Sequence, residues 1–356
     1  MNIRNNVNLQ HFHTFGIAVS ARHFCEVRSR EELCEALAYA RSQALPLMIL
    51  GGGSNVLFRQ DYPGLIIHMC LPGIQSAWTE EGSTEPSTVE VRAAAGENWH
   101  AFVMHCVEHG WYGLENLALI PGSVGAAPIQ NIGAYGVEVK DLIKSVEIMD
   151  IETGDVRTIA AADCAFGYRD SVFKNALRER VVIVSVNFLL HTAPRVDVRY
   201  GTLAEELQSS PDPTPQQVLE AVCRVRRSRL PDPAVLGNAG SFFKNPVIAQ
   251  SHYLRLRERF PDMPGFAADG KTFNNTQNNV KVPAAWLIEQ AGWKGRAVGN
   301  VAVYERQPLV LVNLGSASAC ELTDLAFDVM KAVDTAFGIR LEPEVQWIPP
   351  FRAEQL

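Results

Sequence analysis

The segment from Gly113 to Gly136 constrains this chain more than any other. It carries glycine at 113, 122, 125, 133 and 136, and Glu115 is its sole formal charge. Glycines there let the main chain approach a neighbour closely, while Ser123, Gln130 and Asn131 offer hydrogen bonds. A long, neutral, glycine-punctuated stretch of this kind suits wrapping a large, partly apolar cofactor that carries a pyrophosphate. A tightly packed interdomain loop is the alternative. A second glycine run, Gly51-Gly52-Gly53 with Ser54 and Asn55 behind it, directly follows the apolar Pro46–Leu50. Such a turn points several backbone N–H groups at one anion, with the two side chains adding donors. A plain strand-ending turn is the competing reading. The run is a poor dinucleotide fingerprint, because Val56 stands where the third glycine belongs.

The length, 356 residues, implies roughly two to three domains. With 47% hydrophobic and 20% charged residues, the chain has the means to fill several cores, which excludes a disordered protein. A net charge of −7 argues against a broad nucleic-acid surface, although local cations and backbone amides can still hold a small anion. No run reaches the ~18 apolar residues of a membrane span. The N-terminus, rich in asparagine, lacks the apolar core of a signal peptide, so a cytoplasmic location is expected. The 7 cysteines are scattered with no C-x-x-C spacing, which points to neither a zinc site nor a disulfide framework. His105 and His109 have metal-ligand spacing on an expected helix, but no third ligand accompanies them, and a solvated helix face is the better reading. No metal is expected.

Three parts follow from punctuation and periodicity. In the first, Ser29 and Glu32 form a capping-box pattern ahead of the helical face Leu33, Ala36, Leu37 and Ala40. Strands are expected at Pro46–Leu50 and Leu65–Met69. The polar segment from Thr79 to Ser87 reads as a boundary or exposed loop. The second part has a strand around Val89, Val91 and Ala93, a helix near Glu97 to His109, a hairpin from Val146 to Ile159, a strand from Val181 to Leu190, and a helix from Thr214 to about Arg229. The third follows Pro231-Asp232-Pro233, with helical patterns near Val247 to Phe260, Val282 to Gly292 and Ala317 to Phe337 and a strand at Leu309 to Asn313. Helices and hairpins without a regular βα repeat argue for an α+β fold.

Six blocks, taken in order, carry a resemblance. They are Gly51-Gly-Gly-Ser-Asn-Val-Leu-Phe58, Gly113 to Gly122, Pro128 to Gly136, Phe166-Gly-Tyr-Arg-Asp-Ser171, Gly237-Asn-Ala-Gly-Ser-Phe-Phe-Lys-Asn-Pro246 and Leu341-Glu-Pro-Glu-Val345. Together they resemble the UDP-N-acetylenolpyruvoylglucosamine reductase family, flavoenzymes of peptidoglycan precursor synthesis, from about Thr14 to Trp347. The resemblance implies a two-lobed FAD-binding domain of the vanillyl-alcohol-oxidase type plus an α+β substrate-binding domain. It assigns residues 1–78 to the first lobe, with 345–356 packing back on it, 79–230 to the second lobe, and 231–344 to the substrate domain. It further implies a monomer that binds FAD without a covalent link. NADPH would reduce the flavin and leave, and the enolpyruvyl ether of UDP-N-acetylglucosamine would then be reduced in its place to UDP-N-acetylmuramate.

Hydride addition to a double bond conjugated with a carboxylate builds charge on that carboxylate, and a proton must then reach the adjacent carbon. The resemblance places Arg169 and Glu344 at the carboxylate and Ser241 as the proton donor. The planar fork of arginine suits a carboxylate, and Glu344 would assist if held protonated. Spacing alone does not separate Glu344 from Glu342. Lys244 or Arg229 would help the weakly acidic hydroxyl, and a Gly-Ser turn is the bland alternative for Ser241. FAD would lie against Gly51, Gly52, Gly53, Ser54, Asn55, Pro121, Gly122, Ser123, Gly125, Gln130, Asn131, Gly133 and Arg169. Tyr168, Tyr200, Arg229 and Asn245 would bind substrate. Tyr200 matches a mobile tyrosine of the longer subtype, closing on the diphosphate, and Arg229 stands where that subtype more often has lysine.

Overall fold

The computed structural model describes residues 1–78, 88–267 and 279–350. The polar segment 79–87, read above as a boundary or loop, and the end of the C-terminal segment, 351–356, lie outside them. Two compact units emerge, each assembled from discontinuous stretches: Met1–Asn8, Ser20–Gly53 and Tyr62–Ser228 form the first, and Leu9–Val19, Ser54–Asp61 and Arg229–Leu356 the second.

The first unit contains two sheets. One has the strand order Arg4–Asn8, Ser20–Val27, Tyr62–Met69, Leu47–Leu50, with the last three strands parallel to one another. The helix Arg30–Ser42 links two of those parallel strands. Ser29 caps it by accepting from the Glu32 N–H, and the Glu32 carboxylate accepts from the Arg28 N–H rather than from Ser29. Leu33, Ala36, Leu37 and Ala40 are buried on one face, as their spacing predicts. The other sheet is antiparallel, in the order Val156–Ala160, Ile143–Asp150, Val181–His191, Thr88–Ala94, Ile74–Trp78. Its strand Thr88–Ala94 alternates, with Val89, Val91 and Ala93 fully buried against the helix Trp99–Glu108. On the other face Met149, Val182 and Val184 join the core formed by the first sheet and its helix. Arg30 and Arg92 both bind Glu147, and Ser185 also donates to it, so this half-buried carboxylate is matched.

The helix Pro215–Arg229 begins as read. Thr214 and Gln217 exchange hydrogen bonds between backbone N–H and side-chain oxygen, at 2.8 and 3.3 Å.

The second unit is built on a four-stranded sheet, Gly237–Ser241, Val310–Asn313, Val301–Val303, Ala297–Val298, and a three-stranded one, Val247–Ala249, Asn279–Lys281, Phe266–Ala267. Its long helix Ala319–Phe337 carries a full capping box at Ser318 and Glu321 and a left-handed Gly338 at its end. One expectation is corrected here, and one alternative falls away. The helical pattern read from Val247 to Phe260 divides into the strand Val247–Ala249 and the helix Gln250–Arg259, because a short apolar run has no period of its own. The stretch Gly237–Ser241 is a strand, not a Gly-Ser turn. Finally, Gln346–Ile348 pairs in parallel with Val56–Phe58, which joins the C-terminal stretch to the segment just after the first glycine run.

Candidate functional site

In the first unit two glycine segments lie back to back. A Cβ added at Gly52 would stand 2.9 Å from the Gly122 Cα, and one at Gly51 would stand 2.5 Å from the Ser123 Oγ. At Gly125 the added carbon would lie 2.5 Å from the Ala95 Cβ. At Gly52 and Gly125, where main-chain atoms lie within about 3 Å, only glycine permits the approach. The 122–125 loop is held in place by main-chain bonds: Trp99 N–H donates to Gly122, Val124 N–H to Glu97 and Gly125 N–H to Ala95. Ser123 is buried between these segments, while Pro121 and Gly52 reach the surface. The Val124 and Gly125 N–H groups are used in holding the loop, so the main chain that fits the pyrophosphate of a flavin nucleotide is that around Gly51, Gly52, Gly122 and Ser123, where the two glycine loops meet.

Arg169 sits near this framework. Its Nη2 donates to the Gly133 carbonyl at 2.7 Å and its Nη1 to the Asn131 carbonyl at 3.3 Å. Its guanidinium also lies 5.3 Å from the centre of the half-exposed Tyr168 ring. Asn131 is fully buried. Its amide donates to Gly167 and Glu138, and its oxygen accepts from the Lys140 N–H. The side chain expected to touch the cofactor therefore ties the 131–133 turn to the 167–169 turn, and its influence on a ligand is through that frame. Arg169, Asn131 and Tyr135 are left-handed, with φ of 55, 43 and 49°. Non-glycine residues adopt that region when surrounding bonds over-determine it, which is common at ligand sites. Gln130 is half-buried.

The second unit brings Ser241 and Glu344 together. The Phe243 and Pro343 positions form an antiparallel bridge, Glu344 N–H donates to the Phe242 carbonyl at 2.7 Å, and Lys244 N–H donates to the Glu342 carbonyl at 2.9 Å. Phe242 and Phe243 are buried and anchor the segment, and Phe242 packs edge-on against the buried Trp347. The strand bearing Ser241 bulges between Asn238 and Ser241, where Gly240 takes φ +68°. Buried Asn238 fixes that bulge. It accepts from Gly240 N–H and donates to the Pro231 and Leu236 carbonyls. Ser241 is half-buried, and among the described residues no hydrogen bond occupies its hydroxyl. The two glutamates differ in their packing. Glu342 is exposed and pairs with Lys244 at 3.3 Å, whereas Glu344 is half-buried one step from Ser241 across the bridge.

Two residues act in ways their motifs do not reveal. Asn55, expected at the cofactor, donates from Nδ2 to the Glu344 carbonyl at 3.3 Å, and its own carbonyl accepts from Gln346 N–H. Asn245, expected at the substrate, accepts at Oδ1 from the Ala284 N–H and so caps the helix Ala284–Gln290. A backbone donor thus fixes that oxygen and aims the amide NH2 the other way. Asn238 and Trp347 were missed altogether. The polar residue within Gly-Asn-Ala-Gly was the only signal for the first, and nothing local marked the second. Tyr200 is exposed at the start of the short helix Gly201–Glu206, its ring edge-on to Tyr135 at 5.5 Å. Arg229 is exposed and ends its helix, and Ser54 is half-buried. The His105 and His109 rings stack 4.0 Å apart. Among the described residues no three metal-ligating side chains gather there or elsewhere.

Known proteins resemble this chain in sequence and fold. Residues 21–160 match the FAD binding domain family, and residues 232–348 match the family described as UDP-N-acetylenolpyruvoylglucosamine reductase, C-terminal domain. A UDP-N-acetylenolpyruvoylglucosamine reductase from Chromobacterium violaceum is 47% identical over 97% of this chain and 98% of its own length. One from Pseudomonas syringae pv. syringae is 46% identical over 97% and 98%. The crystal structure of the Thermus caldophilus enzyme of that name superposes with a TM-score of 0.66 at 23% identity, covering 98% of this chain and 99% of its own, a likeness of fold. Identity at this level along nearly the whole length places the chain in the UDP-N-acetylenolpyruvoylglucosamine reductase family of FAD-binding oxidoreductases.

Proposed function

We propose that this chain reduces the enolpyruvyl ether of UDP-N-acetylglucosamine to UDP-N-acetylmuramate at the expense of NADPH. The observation that carries the reading is the bridge that sets Glu344 one step from the free hydroxyl of Ser241. FAD, held without a covalent link by the main chain of Gly51–Gly53 and Gly122–Gly125, supplies two-electron hydride transfer. The chain's own residues bind and protonate. Arg169 receives the substrate carboxylate, its fork already oriented by the Asn131 and Gly133 carbonyls. Glu344, protonated, donates a hydrogen bond to the charge that develops there. Ser241 gives its proton to the adjacent carbon. Tyr200, Arg229 and the NH2 of Asn245 bind the diphosphate, and Tyr168 packs on Arg169. We further propose a monomeric cytoplasmic enzyme with two FAD-binding lobes, 1–78 and 79–230, and a substrate domain over 231–344. Among the described residues no helix is long and apolar enough to cross a membrane.

Anaerobic spectroscopy tests this. The purified protein should be yellow, NADPH should bleach it, and the enolpyruvyl sugar nucleotide should restore the colour. Denaturation should release free flavin. A flavin that NADPH bleaches but this substrate does not reoxidise would reject the proposed activity.

A further inference from the structure

The first residues of the helix Trp99–Glu108 grip the loop that runs up to Gly125. Trp99 N–H donates to the Gly122 carbonyl, and Trp99 Nε1 donates to the Leu117 carbonyl at 2.8 Å. The half-buried His100 holds the chain between those two points, where its Nδ1 accepts from the Leu119 N–H at 3.0 Å. Leu119 has φ +58°, a left-handed value that a bulky residue keeps only where its neighbours impose it. Three residues later the chain reaches Gly122, packed on Gly52.

An acceptor at Nδ1 fixes the state of the ring. The proton must sit on Nε2 and the imidazole must be neutral, because an imidazolium donates from both nitrogens. Among the described residues nothing else bonds to either ring nitrogen, so the Leu119 N–H alone selects that tautomer. The surroundings favour the same state. Burial, and then the cations Arg227 and Arg226 on the helix Pro215–Arg229, hold the pKa of the ring below its ordinary value. The loop it grips, residues 116–125, carries no ionisable side chain to counter them.

We infer that His100 is a positioning residue for the cofactor: as a neutral acceptor it locks the Leu119 turn, and through that turn the main chain around Gly122 and Ser123 that meets the flavin nucleotide. The inference rests on the FAD reading above and adds a titratable link to its frame. Protonation turns the acceptor into a donor facing a donor, and the lock is lost. Because the folded ring has the depressed pKa, the lock is complete above the ordinary imidazole value and fails as pH falls below about 6.5.

The test uses the full chain freed of flavin, as wild type, H100N, H100F and H100L. FAD affinity is read by flavin fluorescence at about pH 8 and about pH 5, on either side of the imidazole range. An asparagine amide sets its oxygen close to where Nδ1 stands and does not titrate, whereas phenylalanine and leucine offer no acceptor. At the higher pH, H100F and H100L should bind FAD about two- to tenfold more weakly, as one lost hydrogen bond predicts, and H100N should match wild type. On acidification wild type should weaken at least to the level of H100F, while H100N changes no more than H100F does. Wild-type affinity in both apolar variants at the higher pH would overturn the inference. So would a loss in H100N equal to theirs, which makes the bulk of the ring the cause, or a wild-type pH profile parallel to those of the variants. H100L is smaller than H100F, so a fold lost to bulk alone does not end the comparison. Failure of both to fold would make His100 a residue of the fold and end the proposal. Wild-type protein that binds no FAD would sink the FAD reading itself.

Discussion

In the first unit the functional stretch is local, with Gly122, Gly125, Asn131 and Gly133 following one another along a single loop whose shape comes from backbone conformation. In the second unit Ser241 and Glu344 come from distant stretches of the chain, brought near each other by the Phe243–Pro343 bridge and the bond from Glu344 N–H to the Phe242 carbonyl. The first is made by removing side chains, since at Gly51, Gly52 and Gly125 a Cβ would strike a neighbour. The second is made by adding them, because buried Phe242, Phe243 and Trp347 hold the pair in place. On the proposed function, the binding surface for a large ligand falls to main chain, and proton chemistry to side chains clamped by a core. The lesson is that the same molecule tolerates different errors in each region: a methyl group harms the first, and a lost anchor or hydroxyl harms the second.

Ser241→Ala should give the largest effect and break the comparison if it does not. Flavin reduction by NADPH needs no proton on a substrate carbon and should stay near normal, while reoxidation by the enolpyruvyl substrate slows by ~10²–10⁴-fold. Stopped-flow traces follow the steps separately. Equal slowing of both would mean that Ser241 shapes the pocket instead.

Gly125→Ala tests the first region. The new methyl must displace Ala95, whose carbonyl accepts the Gly125 N–H at 3.0 Å. Overpacking of this kind should cost about 1–3 kcal/mol in urea unfolding and weaken FAD binding. Wild-type stability would show that the loop adapts and that its glycine is dispensable. Arg169→Lys keeps the charge but loses the fork and cannot hold both the Asn131 and Gly133 carbonyls. Steady-state turnover should fall about tenfold or more, and unaltered turnover would remove Arg169 from the mechanism.

The smallest effect is assigned to Asn55→Ala. Loss of its hydrogen bond to the Glu344 carbonyl should cost about 0.5–1.5 kcal/mol, up to about tenfold in the reoxidation step. FAD affinity measured on the same variant sharpens the comparison. A change in affinity with no change in reoxidation would return Asn55 to the cofactor alone.

Local chemistry made much of this legible. The Ser29 and Thr214 caps, the buried face of the helix Arg30–Ser42 and the alternation of the strand Thr88–Ala94 are all read from residues a few positions apart, which is the range over which capping and periodicity act. The glycine runs were visible for the same reason, since a missing side chain is a property of the residue itself. What remained hidden depends on partners far along the chain. No local pattern tells that Asn55 holds the Glu344 carbonyl, that Asn131 turns its amide inward, or that Gly237–Ser241 is a bulged strand. Between Glu342 and Glu344, two residues apart in one motif, sequence offered resemblance but no physical preference. Tertiary structure separates them, leaving Glu342 exposed beside Lys244 and Glu344 half-buried with its N–H on the Phe242 carbonyl, one residue along from Ser241. Strand pairing and burial are non-local, so the identity of the groups was written in the sequence, while their proximity and exposure exist only once the chain has folded.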